Sequence, residues 1–255
     1  MAIATFSLTV SESKRLIAKG VAKLPCVQRA MGQGLIAVCK GTTNAYVLEE
    51  LLGRPVEKTG YVLGATIPAK GPARAQLLPT SIPDVVLRDG RPASDLPTVQ
   101  DAFKAMKRGD VVIKGANALD YKHKLTGLLI GHPEGGTAGG FVGPMHGRRF
   151  DLVIPVGLEK QVVGDLRAAE VDLLSAGPDK YAGPSMWVLH GQIVTEIEAL
   201  RLLADAEAVQ IGAGGVGGAE GAVWLMVKGT EEAVSRATAL VEQVQGEPPF
   251  CACVG

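Results

Sequence analysis

The chain has 255 residues, enough for one large domain or two ordinary ones. Hydrophobic residues make up 47% and charged residues 20%, a balance that builds a core and excludes a disordered chain. Lys plus Arg is 26 and Asp plus Glu is 26, so no net field draws the protein to nucleic acid or an anionic membrane. Aromatics at 4% leave no stacking surface for bases.

No stretch approaches the ~18 apolar residues of a membrane span. The N-terminus lacks the basic start of a secretory signal, and a cytoplasmic protein is expected. Four scattered cysteines (Cys26, Cys39, Cys251 and Cys253) suit a reducing compartment rather than a disulfide framework. The four histidines have no metal-ligand spacing, so neither a metal nor a cofactor is expected.

In chain order, SESKRLIAKGVAKL (11–24) predicts an amphipathic helix capped by Ser11, with Leu16, Ile17, Val21 and Leu24 on its apolar face. GLIAVC (34–39) predicts a buried strand, and a helix starting near Asn44 and ended by Gly53 follows. The Pro-, Gly- and Arg-rich stretch 54–97 predicts a hairpin-containing excursion, with YVLGATIPA and DVVLRDG as its strand-like pieces. Thr98 with Asp101 opens a helix, and DVVIKG (110–115) is a second buried strand followed by an ANALD loop. LTGLLIG (125–131) predicts a third strand and DLVIPVG (151–157) a fourth, with a helix from 158 and a connector over 171–184. Alternation of short apolar strands with helices predicts a doubly wound, Rossmann-like, mostly parallel sheet over 1–180. Residues 181–255 predict a ferredoxin-like βαββαβ domain: strand WVLHGQIV, a helix capped by the Thr195–Glu198 box, strands AVQIGAGG and GAVWLMVKG, a helix, and a last strand PPFCACV. In that last segment Cys251 and Cys253 share one face, which leaves a redox or metal role and an edge strand both open.

Ligands of open α/β sheets bind beyond the carboxyl ends of the strands. Four loops are expected to meet there. Lys40, Gly41, Thr42, Thr43 and Asn44 place a glycine, two hydroxyls and a lysine at a helix start, whose free N–H groups attract anions. An ordinary helix cap with nothing bound is the competing reading. Lys114, Gly115 and Asn117 follow the second strand, with Asp120 as general base or sugar-hydroxyl partner, or else as the acceptor of a plain turn. Glu134 with Gly135, Gly136 and Thr137 forms a glycine-dense loop too flexible for a helix. There Glu134 is a candidate base or nucleophile, or a solvated surface residue. Lys160 begins the helix after the fourth strand and is expected at the same edge.

IAVCKGTTNAYVLEELLG resembles the strand–GSGST–helix element of the NagB/RpiA/CoA transferase-like superfamily, which holds ribose-5-phosphate isomerases, sugar-phosphate-responsive regulators and CoA transferases. VVIKGANALD is similar to the isomerases' D-G-A-D-E loop and to a GANAL stretch of lactate-utilisation proteins. LVIPVGLEKQV resembles the element carrying A-D-x-S-K-x-V. The likeness runs over about residues 10–170. It implies a sheet that binds a phosphorylated or acyl-CoA-like metabolite, with isomerase or transferase activity. Lys114 stands where the isomerases have their first loop aspartate, Asn117 and Ala118 replace the second acid pair, and Glu134-Gly-Gly lacks the loop lysine. The likeness therefore implies the scaffold more than the reaction. A non-catalytic sensor, or a homo-oligomer assembled through the C-terminal unit, is the alternative.

Overall fold

The computed structural model describes residues 1–71, 73–78, 81–176 and 183–251. The chain begins with β1 (Ala2–Leu8), α1 (Val10–Ala22), α2 (Pro25–Gly32), β2 (Leu35–Val38) and α3 (Thr42–Leu52). Next come α4 (Arg74–Leu77), β3 (Val85–Arg88), β4 (Arg91–Pro92), α5 (Val99–Ala105), β5 (Val111–Ile113), β6 (Ala118–Asp120) and β7 (Leu125–Ile130). Then follow α6 (Gly136–Arg148), β8 (Asp151–Pro155), α7 (Leu166–Ser175), β9 (Ser185–Leu189), β10 (Gln192–Val194), α8 (Glu196–Ala204), β11 (Glu207–Ala213), β12 (Val223–Gly229) and α9 (Glu231–Val244).

The fold is mixed α/β around a six-stranded, mostly parallel sheet in the order β10-β8-β5-β2-β3-β4. β2, β5, β8 and β10 run parallel, and the hairpin β3–β4 adds an antiparallel edge. Side chains alternate between the two faces with the period of a strand. Ile36, Val38, Val111, Ile113 and Val153 face a core shared with α1, α2 and α3. Ala37, Cys39, Val112, Leu152 and Ile154 face a core shared with α5, α6 and α8. Burial on both faces explains why these strands read as unbroken apolar runs. From the end of β2 the chain leaves toward β3. After β5 it proceeds the other way, toward β8. The gap beyond the carboxyl ends of β2 and β5 is thus where the winding direction changes, the position at which such sheets bind ligands.

Several expectations are corrected. LTGLLIG is not a strand of the parallel sheet: β7 pairs antiparallel with β6 and β9 in a separate three-stranded sheet. Its apolar run looks like a parallel strand because β7 too is buried for most of its length, and pairing is non-local information. Part of the ANALD loop is β6 itself. WVLHGQIV splits at His190 and Gly191 into β9, in the hairpin sheet, and β10, in the parallel sheet. A third sheet, β1-β12-β11, takes its first strand from the N-terminus, which the sequence pattern did not mark as a strand. The segment after 180 thus supplies strands to all three sheets, and a cut there would part β1 from β12. The PPFCACV segment forms no strand through Cys251; residues 252–254 lie outside the described residues. YVLGATIPA likewise forms no strand, whereas DVVLRDG gives β3 and its turn.

The glycine-dense loop is a helix. Gly136, Gly139, Gly140, Gly143 and Gly147 all lie in α6, which also contains Pro144. Packing overrides the poor propensity. Phe141 meets Phe103 of α5 at 5.4 Å, and a Cβ on Gly140 would fall 2.0 Å from Gln100 Oε1, so glycine permits the close approach of α5 and α6. The expected helix over 158–169 is instead a 3₁₀ turn, Leu158–Lys160, then an extended piece bonded to Leu119, then α7 capped by Asp165. α7 runs to Ser175, into the expected connector. Thr9, not Ser11, caps α1, in a box with Glu12. The Thr98 and Thr195 caps form as expected. Among the described residues no helix is long and apolar enough to cross a membrane.

Candidate functional site

Helix α3 starts without a cap. Gly41 at its N-cap has no side chain to offer, and the N–H groups of Thr42, Thr43 and Asn44 have no acceptor among the described residues. Gly41's own amide donates to Tyr61 O at 2.9 Å. Thr43 and Asn44 are buried, yet Thr43 Oγ1 and Asn44 Oδ1 have no hydrogen-bond partner. The Asn44 amide nitrogen donates to Cys39 O and Ile113 O, which fixes Asn44 between β2 and β5 and turns its free oxygen toward Gly115. Buried polar atoms are nearly always paired, so a group of unpaired ones marks a place where something else is received.

The neighbouring loops bring charge to the same edge. Lys114 follows β5, and burial pushes its amine below the usual lysine range. Lys160 in the turn after β8 donates to Ala116 O at 2.8 Å, and burial lowers its pKa too. Glu159 folds its carboxylate over Gly157, where a Cβ would fall 1.7 Å from Oε2, and that oxygen is buried without a partner. The fourth loop is the one after β10, not the glycine loop. Glu196, wholly buried at the start of α8, accepts from Leu158 N at 3.0 Å, and burial with the nearby charge of Glu159 pushes its pKa up to about 7. From above, α1 contributes Ser13, whose hydroxyl faces the Glu196 carboxylate, and Lys14, only 7% exposed. Burial lowers Lys14 to about 8 against the pull of Glu159, with Lys160 adding to the depression. Phe250 lies over this amine at 5.3 Å.

Lys160 stands among these charges, since Lys14, Lys114, Glu159 and Glu196 each interact with it, and Asn44 Oδ1 beside Gly115 brings the open helix start next to Lys114. With both carboxylates ionised the five side chains carry a net positive charge, and the helix start adds about half a charge more. Protonation of Glu196 increases it. The arrangement can hold an anion, and Glu196, whose carboxyl burial pushes up to about 7, can exchange a proton near neutrality.

Glu196 gives a direct check. Its folded pKa lies above its unfolded value, so folding favours the protonated form. Stability is then highest below the unfolded pKa near 4.5 and falls as pH rises toward 7. Glu196→Gln should flatten this fall and exceed the parent in thermal stability at pH 8, read by calorimetric unfolding at pH 5 and pH 8.

The remaining expected residues lie elsewhere or are spent. Lys40 is paired with Asp84 at 3.2 Å and Ser81 at 3.0 Å. Asn117 is exposed and its side-chain oxygen accepts from Leu129 N, which ties β6 to β7. Asp120 accepts from His123 N and contacts its ring at 2.7 Å, closing the β6–β7 turn. Glu134 is exposed in the turn after β7, with its own N–H bonded to His132 Nδ1. Gly135 lines an open cleft of roughly 640 Å³ with Ile130, His132, Pro133 and Trp187, and Gly136 and Thr137 begin α6 beside it. Among the described lining residues the one carboxylate, Glu170, is engaged by Val188 N at 2.9 Å. The cleft holds none of the buried unpaired groups found at the parallel-sheet edge. Ser13, Lys14, Glu159 and Glu196 are the functional candidates that sequence reasoning missed. Lys14 carried a signal: it lies four residues after Val10 and seven before Val21, on the apolar stripe of α1.

No family model matches the chain, and neither a curated protein nor a solved structure matches it.

Proposed function

We propose that the chain binds a small phosphorylated, hydroxyl-bearing metabolite at the carboxyl edge of its parallel sheet. The phosphate lies on the free amides of Thr42, Thr43 and Asn44 with Lys114 and Lys160 beside it. Ligand hydroxyls meet Asn44 Oδ1 and Glu159 Oε2, which accept and cannot serve an anion. The observation that carries this reading is the set of buried, unpartnered polar atoms around an uncapped helix start. It agrees with a Rossmann-like sheet of the isomerase and CoA-transferase type. The same anchor serves the phosphates of an acyl-CoA, but Glu134, the carboxylate a transferase would use, sits apart on an exposed turn. If the protein is an enzyme, Glu159 and Glu196 are the acid and base.

Isothermal calorimetry against ribose 5-phosphate, coenzyme A and inorganic phosphate tests this. Thr43→Val with Lys160→Met should weaken binding roughly 10- to 100-fold, the loss of one or two hydrogen bonds to charge. Asp120→Ala and Glu134→Gln should leave it unchanged. Binding should take up protons at pH 8, because an anion raises the pKa of Lys14 and Glu196. Absence of heat at millimolar ligand, or binding indifferent to the double substitution, removes the reading.

A second reading, an assembling sensor, has its own support. The outer face of the β1-β12-β11 sheet exposes Ile3, Val209, Ile211 and Trp224. Sedimentation of the full chain beside Trp224→Lys decides whether that face self-associates.

A further inference from the structure

We propose that Lys14 is a nucleophilic amine that forms an imine with an aldehyde or ketone of the bound phosphorylated ligand. This rests on the anion site above and assigns its ligand a carbonyl. The case is geometric. Lys14 is more than nine-tenths buried, and its amine makes no hydrogen bond and no ion pair within 4.0 Å among the described residues. Neighbouring Arg15 on the same helix is paired with three glutamates, so the fold supplies partners where it needs a charge held. Around the Lys14 amine it supplies instead a ring, Phe250, and the carboxyl of Glu159, one oxygen of which has no partner, with Glu196 and the Ser13 hydroxyl that faces it behind them. An apolar wall against water and a neighbouring acid are what carbinolamine dehydration requires.

The step balances without a co-reactant. The neutral Lys14 nitrogen attacks the carbonyl carbon, and the C=O π pair moves to oxygen, which takes a proton from the Glu196 carboxyl. The nitrogen releases a proton to the Glu159 carboxylate. The proton now on Glu159 converts the hydroxyl to leaving water, the C–O bond breaks, and the nitrogen lone pair closes C=N as an iminium, whose N–H proton then returns to the Glu196 carboxylate. Amine plus carbonyl gives imine plus water. The lowered Lys14 pKa, about 8, supports a share of neutral amine near pH 7.

Reductive trapping tests the assignment. The full-length protein is incubated with glyceraldehyde 3-phosphate and cyanoborohydride, and adducts are mapped by peptide mass spectrometry. Adduct on Lys14 ahead of the other lysines, suppressed by inorganic phosphate and absent from Lys14→Met, is the expected result. Even labelling of surface lysines with Lys14 spared overturns it, and because the map is made on the parent protein, a poorly folding variant does not obscure the answer. Calorimetry with ribitol 5-phosphate, which has no carbonyl, separates the two claims. If it binds while Lys14 stays unlabelled, the imine is rejected and the anion site stands. If Lys14 is labelled but phosphate neither binds nor competes, the nucleophile stands and the anion site is rejected.

Discussion

Replacing Lys14 by Met is expected to make the protein more stable while removing its proposed chemistry. The amine lies between Ser13 and Ile17 on the buried face of α1, facing Glu159 and Lys160 from the turn after β8 and Cys251 from the C-terminal segment. Burial dominates its environment and lowers the pKa from 10.5 to about 8. A lysine depressed in the folded state costs stability wherever it is charged in both states. The cost is complete below pH 8, and it is relieved as pH climbs from 8 to 10.5. The difference corresponds to about 3 kcal/mol at pH 7. Methionine fills nearly the same volume without a charge. Lys14→Met should therefore unfold roughly 6–12 °C higher at pH 7 by differential scanning calorimetry, at 2–4 °C per kcal/mol for a chain of this size. The advantage should shrink steadily between pH 8 and 10. A lower melting temperature at pH 7 would show instead that the amine is paired and stabilising in solution. Gain of stability with loss of function is the behaviour of a site residue rather than a structural one.

How much of this site the sequence showed depends on the range of the signal. The strands β2, β5 and β8 announced themselves through continuous apolar runs, and the helix start at Thr42 through glycine and hydroxyls directly after a strand. Both are local patterns. Which strand completes the edge is not local. β7 and β10 are each short, apolar and bounded by loops, and only pairing distinguishes them: β10 joins β8, while β7 joins β6 and β9. Exchanging one for the other moved the expected fourth loop from Thr195–Glu196 to His132–Thr137. Local pattern therefore points to Glu134 and gives Glu196 no distinction, since the capping box at Thr195 and Glu198 already accounts for residue 196 as a helix start. α6 misled in a different way. Five glycines argue against a helix by propensity, but the Phe103–Phe141 contact and the narrow gap to Gln100 make small residues a condition of packing. Lys14 was legible and passed over: a lysine inside a helix's apolar stripe either turns its amine outward to solvent or is held in for a purpose.

Arg15→Ala should have the largest destabilising effect in the molecule, and it connects the site to the C-terminus. Its guanidinium binds Glu49 at 2.5 Å, Glu50 at 3.0 Å and Glu247 at 2.9 Å, all mostly shielded, and stacks on Tyr46 at 4.9 Å. Removing it leaves three carboxylates together with Lys58, 3.2 Å from Glu49, and Lys19, 3.9 Å from Glu50, as their counter-ions among the described residues. Breaking a buried pair from one side costs about 3–5 kcal/mol, which corresponds to a fall of roughly 6–20 °C in melting temperature. The loss should be smaller at acid pH. Burial alone would push Glu49 up, but Val56 N–H, Arg15 and Lys58 hold it below its ordinary value, so its contribution is present at neutral pH and disappears as the carboxylates protonate. Glu247 also ties down the segment that brings Phe250 against Tyr46 and over Lys14. When Arg15 is lost, that segment should detach at temperatures where the rest of the protein remains folded. Cys251, whose thiol contacts Leu77 O, should then react faster with an alkylating reagent while Cys39, buried beneath the sheet, remains inert. Unchanged Cys251 reactivity in Arg15→Ala would mean that Phe250 and the bonds of Gly246 to Glu12 and of Cys251 to Leu77 hold the segment, and that the shield over Lys14 does not depend on Arg15.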